Sequence, residues 1–363
     1  MKKILVVFLF FGTYSAAFSQ TGAKQDSAKL QPYRSEDIQV ENKEAGIKLA
    51  GTLTIPRGGG RYPVVVLISG NGEHNRDAEF SGHKPFLIIA DYLTRNGIAV
   101  FRFDKRGVGA SEGDYKTATT FDFASDVSAA VEYLGKRKEI DKKKIGLIGH
   151  SEGGLIAPIV ASKSRKINFI VLLAAPAIPG DELLLLQQTL IAKAKGTPES
   201  EILKSKDLNQ KAFDIVKRYT NNDELQLQMT NYITEISKDD PDKPANMTNE
   251  EYVRLQVDHV LRPWMVNFLR YDPAKTLEKV KCPVFAIIGS KDLQVSPQEN
   301  LEALKKALTK GGNTGLTTKK LPGLNHLFQE CETGLPGEYN RIEQAISPIA
   351  MTEMLNWLKK QIR

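Results

Sequence analysis

Short apolar runs alternate with helix-like stretches along most of this 363-residue chain. The runs have the length and composition of buried strands. They are Val64–Ser69, Ile98–Phe103, Ile145–Gly149, Phe169–Ala174 and Val284–Gly289, with a more polar run at Leu316–Leu321. The helical patterns are Pro85–Asn96, Phe121–Lys136, Glu152–Lys163, Pro297–Leu308 and Ile349–Ile362. Strands that alternate with helices pair in parallel and are covered on both faces, so the sequence predicts an α/β fold with a mostly parallel sheet.

One segment breaks this alternation. Residues 180–277 carry long helical patterns and no convincing strand, so we predict a helical insertion that forms a lid above the carboxyl ends of the strands. The alternative is a separate helical domain with a role of its own. The core then comprises residues 38–179 and 278–363, starts with an antiparallel hairpin over Ile38–Ile55, and follows a polar linker over residues 20–37.

The first nineteen residues have the pattern of an export signal. Lys2 and Lys3 precede the apolar run Ile4–Gly12, and the small-x-small site Ala17-Phe18-Ser19 predicts cleavage before Gln20. The apolar run is short for a membrane span. We therefore predict a signal peptide over residues 1–19, a periplasmic or secreted protein, and no stable membrane insertion after cleavage. An uncleaved N-terminal anchor is the alternative.

Charge and cysteine content exclude several classes of protein. The chain has 50 Lys and Arg against 43 Asp and Glu, a net charge of +7, and the basic residues are dispersed rather than arranged in a stripe with aromatics. A nucleic-acid partner is therefore not expected. Two cysteines are too few for a disulfide scaffold or a four-thiolate metal site. Cys282 and Cys331 are predicted at opposite ends of the sheet, so we expect two free thiols, with a disulfide as the alternative.

The chemistry centres on the G-x-S-x-G motif over residues 149–153, Gly-His-Ser-Glu-Gly. The motif follows a buried strand and opens a helix that is rich in small residues. In this context Ser151 lies on a sharp turn that exposes its hydroxyl at the end of the sheet. The helix N-terminus behind it favours negative charge, so we predict that Ser151 is a nucleophile.

A serine hydroxyl requires a base, and the base requires an acid that fixes its tautomer. We predict His326 as the base, because it follows the last strand at the same end of the sheet. His150 is less suitable, because the sharp turn points adjacent side chains apart. Asp292 directly follows the strand Val284–Gly289 and is the predicted acid, which gives the chain order Ser, Asp, His. The alternative for Asp292 is a turn-forming or helix-capping role.

An oxyanion intermediate requires two donors. One is the backbone N–H of Glu152, the residue after the nucleophile. The other is expected in the glycine-containing loop after the first parallel strand, where we choose the N–H of Asn71 first and that of Gly72 second. The alternative for this loop is a flexible surface turn.

Together these motifs resemble the α/β-hydrolase fold over roughly residues 38–363. The loop Gly70-Asn71-Gly72 with Arg76-Asp77 is similar to that of bacterial esterases related to the serine aminopeptidase-like hydrolases, although relatives often have His-Gly where this chain has Ser69-Gly70. The resemblance implies hydrolysis of a small-molecule carboxylic ester through an acyl-enzyme, with no metal and no cofactor. By the same resemblance, the loop Asp104–Ser111 shapes the site without joining the chemistry, and Asp104 and Arg106 look like residues that brace this loop.

Other functions remain open on the same scaffold. A peptidase or aminopeptidase needs a site for a charged amine, for which Glu73, Glu152 or a lid carboxylate are the candidates. A thioesterase, a lactone hydrolase and a catalytically silent binding protein are further alternatives. The apolar lid residues Leu183–Leu186, Trp264 and Phe268 suggest an apolar acyl group and equally suit an ordinary lid core. The oligomeric state is left open.

Overall fold

Eight strands form one sheet in the computed structural model, which describes residues 33–363 without residues 239, 241 and 242. The strands are β1 Tyr33–Asn42, β2 Ile47–Pro56, β3 Tyr62–Ile68, β4 Ala99–Phe103, β5 Ile140–His150, β6 Phe169–Leu173, β7 Val284–Gly289 and β8 Leu316–Leu321. Their spatial order is β1-β2-β4-β3-β5-β6-β7-β8. Strands β3 to β8 are parallel, and β1 and β2 are antiparallel, so the predicted mostly parallel sheet is confirmed.

The predicted boundary between linker and core at residue 38 is wrong. Strand β1 begins at Tyr33, which pairs with Pro56. Residues 34–37 are polar and mostly exposed because β1 is an edge strand, so they carry no apolar signal. The predicted signal peptide and the start of the linker lie outside the described residues.

Helices cover both faces of the sheet. They are α1 Pro85–Arg95, α2 Thr120–Leu134, α3 Gly153–Lys163, α4 Gly180–Ala194, α5 Glu199–Arg218, α6 Asn222–Ile236, α7 Asn249–Val260, α8 Pro263–Arg270, α9 Ala274–Leu277, α10 Pro297–Lys310 and α11 Pro348–Gln361. Apolar residues of α2, α3 and α10 pack on one face, and those of α1 and α11 pack on the other. Two buried layers therefore hold the sheet rigid, which fixes the loops at its carboxyl edge.

The helices α4 to α9 occupy the connection between β6 and β7, where the helical insertion was predicted. Side chains of α4 to α8 form an apolar cluster of their own, with Phe213, Met229 and Val257 among its most buried members. Trp264 and Phe268 of α8 lie in a second cluster that includes residues of the sheet and of α3. The insertion thus has its own core and is anchored to the sheet through α8, while its role as a lid stays a prediction.

The loop after β4 is held by two ion pairs, as expected for bracing residues. The Asp104 carboxylate accepts hydrogen bonds from the Arg76 guanidinium and backbone, the shortest 2.7 Å. Arg106 pairs with the carboxylate of Asp126 at 2.8 Å, and both side chains are buried. At Gly109 (φ 58°) a Cβ would lie 2.8 Å from an Asp104 oxygen, so this turn requires glycine.

Two further sequence expectations concern thiols and membranes. Cys282 and Cys331 are both free thiols, as predicted. Within the described part of the chain, each helix is too short or too polar to cross a bilayer.

Candidate active site

Ser151 lies on a sharp turn between β5 and α3. Its φ is +53°, in the left-handed region that non-glycine residues rarely adopt, and its N–H donates to the Leu173 carbonyl at 2.9 Å. A Cβ on Gly149 would lie 2.0 Å from the Gly153 carbonyl oxygen, and one on Gly153 would lie 2.1 Å from that of Ile68. The glycines are therefore required for the helix to cross so close to the strands, which places the Ser151 hydroxyl at the carboxyl edge.

The structure brings the three predicted side chains together. The Nε2 atom of His326 lies 3.0 Å from the Oγ of Ser151, and its Nδ1 atom lies 2.8 Å from the Oδ2 of Asp292. An ionised carboxylate can only accept, so Nδ1 carries the proton and Nε2 is left to accept the proton of the hydroxyl. This arrangement can deprotonate a serine as it attacks an electrophilic carbonyl.

The Asp292 carboxylate contacts His326, the predicted base, and it also caps a turn, which was the alternative role for this residue. Its Oδ1 atom accepts the backbone N–H groups of Gln294 and Val295, both at 2.9 Å, which caps the turn after β7. Its Oδ2 atom is left for His326. The side chain is buried, so these hydrogen bonds fix which oxygen faces the imidazole.

The loop that carries His326 is held by two residues that the sequence did not mark for this role. The buried Asn325 amide accepts the backbone N–H groups of Leu327 and Gln329. The His150 ring points toward this loop, and its Nε2 lies 3.0 Å from the His326 carbonyl oxygen. Because a carbonyl only accepts, His150 Nε2 donates, and this side chain orients the histidine loop rather than acting as the base.

The loop that carries the predicted donor Asn71 passes close to the nucleophile. A Cβ on Gly70 would lie 3.1 Å from the Cβ of Ser151, and Asn71 is the next residue along this loop. Within the described part of the chain, neither the Asn71 nor the Glu152 backbone N–H has an acceptor. The prediction of Gly72 as the second-choice donor is wrong, because the Gly72 N–H donates to the Tyr115 hydroxyl at 2.9 Å.

The Glu152 side chain forms a buried network that sequence reasoning missed. Its carboxylate accepts from Lys105 at 3.1 Å, Thr120 at 2.8 Å and the Trp264 indole at 2.5 Å, and it is only 2% exposed. Three donors already bond to this carboxylate, so Glu152 is not placed to bind the amine of a substrate. It was one of the candidates for that role in the aminopeptidase alternative. The exposed Glu73 remains as a candidate for that role.

Nothing in the described residues forms a cluster of three or more His, Cys, Asp or Glu side chains suited to a metal ion.

Two half-buried histidines near the site, His74 and His150, are expected to make the free energy of unfolding depend on pH. Desolvation lowers the pKa of His150 to about 3 and that of His74 to about 4. Both rings stay neutral in the folded protein at pH values where the unfolded chain binds a proton, below about pH 6.5. The contribution of each neutral ring to the free energy of unfolding is therefore fully present above about pH 6.5. It is lost as the pH falls toward the lowered pKa, by up to about 1.4 kcal/mol per pH unit for each histidine.

We expect the free energy of unfolding, measured by urea titration between pH 8 and pH 5, to decrease below pH 6.5. The double variant His74→Gln/His150→Gln should give a shallower slope over the same range. A wild-type stability that does not change from pH 7 to pH 5 would contradict this prediction.

Comparisons with known proteins identify the family and the fold of this chain. Residues 62–332 match the family model described as serine aminopeptidase, S33. Esterase EstD of Thermotoga maritima is 24% identical over 343 residues, which cover 92% of this chain and 70% of that relative. An esterase of Pyrococcus furiosus shares the fold with a TM-score of 0.55 at 17% identity, over 94% of this chain and 97% of the other. The α/β hydrolase GrgF from Penicillium sp. sh18 gives 0.57 at 15% identity, over 91% and 99%. With the matched segment spanning the strands and loops that carry the serine, the aspartate and the histidine, this chain belongs to the S33 serine aminopeptidase-like family of α/β hydrolases.

Proposed function

We propose that this protein is a serine esterase that hydrolyses small-molecule carboxylic esters through an acyl-enzyme. The observation that carries the proposal is the chain of hydrogen bonds from Ser151 through His326 to Asp292, at 3.0 and 2.8 Å. The export pattern over residues 1–19 supports a periplasmic or secreted location.

The proposed reaction proceeds in two stages. His326 Nε2 accepts the Ser151 proton as Oγ bonds to the ester carbonyl carbon, and the carbonyl electrons move onto oxygen. The N–H groups of Asn71 and Glu152 bind this oxyanion. The intermediate collapses, the ester C–O bond breaks, and the imidazolium protonates the departing alcohol. Water then attacks the acyl-enzyme with the same proton transfers, which releases the acid and restores the serine.

Ester hydrolysis is favoured over aminopeptidase activity by the Glu152 network. Among the carboxylates that could bind a substrate amine, Glu152 lies nearest the nucleophile in sequence, and its oxygens already accept three hydrogen bonds. Aminopeptidase activity is the second candidate, because the matching family model carries that description.

A substrate panel tests the proposal. We expect p-nitrophenyl esters, from acetate to laurate, to be hydrolysed with higher kcat/KM than aminoacyl p-nitroanilides. A fluorophosphonate probe should label the protein at Ser151, as mapped by mass spectrometry. Faster hydrolysis of the anilides would favour the aminopeptidase, and a protein with neither turnover nor labelling would be a silent binding protein.

A further inference from the structure

A buried lysine lies beneath the candidate site. Lys105 follows β4, is 4% exposed, and lies 4.1 Å from the centre of the Phe123 ring. Its ammonium donates to the Gly70 carbonyl oxygen at 2.7 Å and to the Glu152 carboxylate at 3.1 Å. Burial of an ammonium is costly unless it is paired, so these two contacts account for its presence there.

The contact between the Lys105 ammonium and the Gly70 carbonyl oxygen involves the peptide group that also carries the Asn71 N–H, a proposed oxyanion donor. The carbonyl of Gly70 and the N–H of Asn71 are the two ends of the same amide. A charged donor on the carbonyl oxygen draws electron density from the amide nitrogen, and linked hydrogen bonds strengthen one another. Lys105 therefore makes the Asn71 N–H a stronger donor and fixes the orientation of this peptide plane.

The second contact of the Lys105 ammonium is with the carboxylate of Glu152, whose backbone N–H is the other proposed oxyanion donor. The Glu152 carboxylate is a buried negative charge on the residue next to Ser151, where it opposes an oxyanion that forms at the serine. The Lys105 ammonium balances this charge. One side chain thus contacts Glu152 and the peptide group that carries the Asn71 N–H, and it ties their two loops together.

We propose that Lys105 is a positioning residue of the oxyanion hole, which fixes the two donor amides relative to each other and polarises the peptide between Gly70 and Asn71. The inference rests on the proposed function, because it concerns the intermediate of ester hydrolysis. It adds a contribution from a side chain that touches neither the triad nor the substrate.

The variant Lys105→Met keeps an unbranched side chain of similar length and removes the charge. We expect kcat for p-nitrophenyl butyrate to fall about 10- to 100-fold, since removal of an entire oxyanion donor costs more. KM should change little, because the ground-state ester carbonyl binds the hole weakly. Affinity for a trifluoromethyl ketone, whose adduct with serine carries an oxyanion, should fall by the same factor as kcat/KM.

Arg106→Met is the matched control. Arg106 is the next residue of the same loop, is buried, and pairs with a buried aspartate, but its contacts do not include the oxyanion loop. Its replacement should lower Tm and leave kcat within about twofold of the wild type. Equal losses of kcat in both variants at equal loss of Tm would mean that Lys105 has only a structural role, and would overturn the proposal.

The double variant Lys105→Met/Glu152→Gln removes both buried charges and guards against misfolding of the single variant. We expect kcat to stay low, because the Gly70 carbonyl still lacks its donor. Recovery to the wild-type kcat would show that Lys105 only neutralises Glu152, and would overturn the proposal. A wild-type protein that hydrolyses no ester and takes no fluorophosphonate label would instead refute the proposed function, before any Lys105 variant is compared.

Discussion

Ester turnover by Ser151→Ala should be lower than that of the wild type by roughly 10⁶-fold in kcat. The substitution removes the only atom that bonds to the substrate carbon and leaves the imidazole 3.0 Å from an empty position. Serine and alanine both carry a Cβ, so the left-handed backbone of this turn meets the same steric restriction in the variant, and the fold and Tm should be retained. Steady-state hydrolysis of p-nitrophenyl butyrate and thermal unfolding measure the two effects separately.

Ser162→Ala is the control for this experiment. Ser162 lies on α3, the helix that follows the nucleophile, and its hydroxyl donates to the Ile159 carbonyl at 2.9 Å. Its loss should leave kcat unchanged. Turnover above about 1% of wild type in Ser151→Ala would contradict the proposed covalent mechanism, as would fluorophosphonate labelling that persists in that variant.

A similar loss, roughly 10⁴-fold in kcat, is expected for Asp292→Asn. Two backbone N–H groups hold Oδ1 of this side chain, so the asparagine keeps its oxygen there and presents its NH₂ group to His326. Nδ1 must then accept a hydrogen bond, and the imidazole proton moves to Nε2. Nε2 faces Ser151, so the ring in this tautomer can no longer accept the serine proton.

Asp272→Asn is the matched control, because Asp272 Oδ1 also caps a turn, through the Ala274 N–H at 3.0 Å, and lies outside the triad. Its variant should retain wild-type kcat and serves to measure the cost of losing a turn-capping carboxylate. More than about one tenth of wild-type activity in Asp292→Asn would mean that a different acid orients His326.

Prediction from sequence succeeded for the completely buried strand β7 and also for the mostly exposed edge strand β8. The strands Val284–Gly289 and Leu316–Leu321 were predicted with the bounds that the structure gives. Strand β5 was predicted from Ile145, but it begins at Ile140. Its first half includes the three lysines 142–144, which are exposed or half-buried, so only the buried half carries the apolar signal.

The three predicted triad positions could be chosen because each follows a parallel strand at the same edge of the sheet. The network around Glu152 could not be predicted, since Lys105, Thr120 and Trp264 come from three separate segments. A polar residue in a sequence does not indicate which distant donor it will meet. The role of His150 was missed for a related reason, because its acceptor is a backbone carbonyl.

The separate apolar cluster of α4 to α8 has a consequence for engineering and for divergence among relatives. Side chains of α5, α6 and α7 pack in a cluster that is separate from the two layers on the sheet, so libraries confined to those helices should yield proteins in which the sheet stays folded. The same randomisation of α8 should lower kcat, because the Trp264 indole donates a hydrogen bond to Glu152, the residue after the nucleophile.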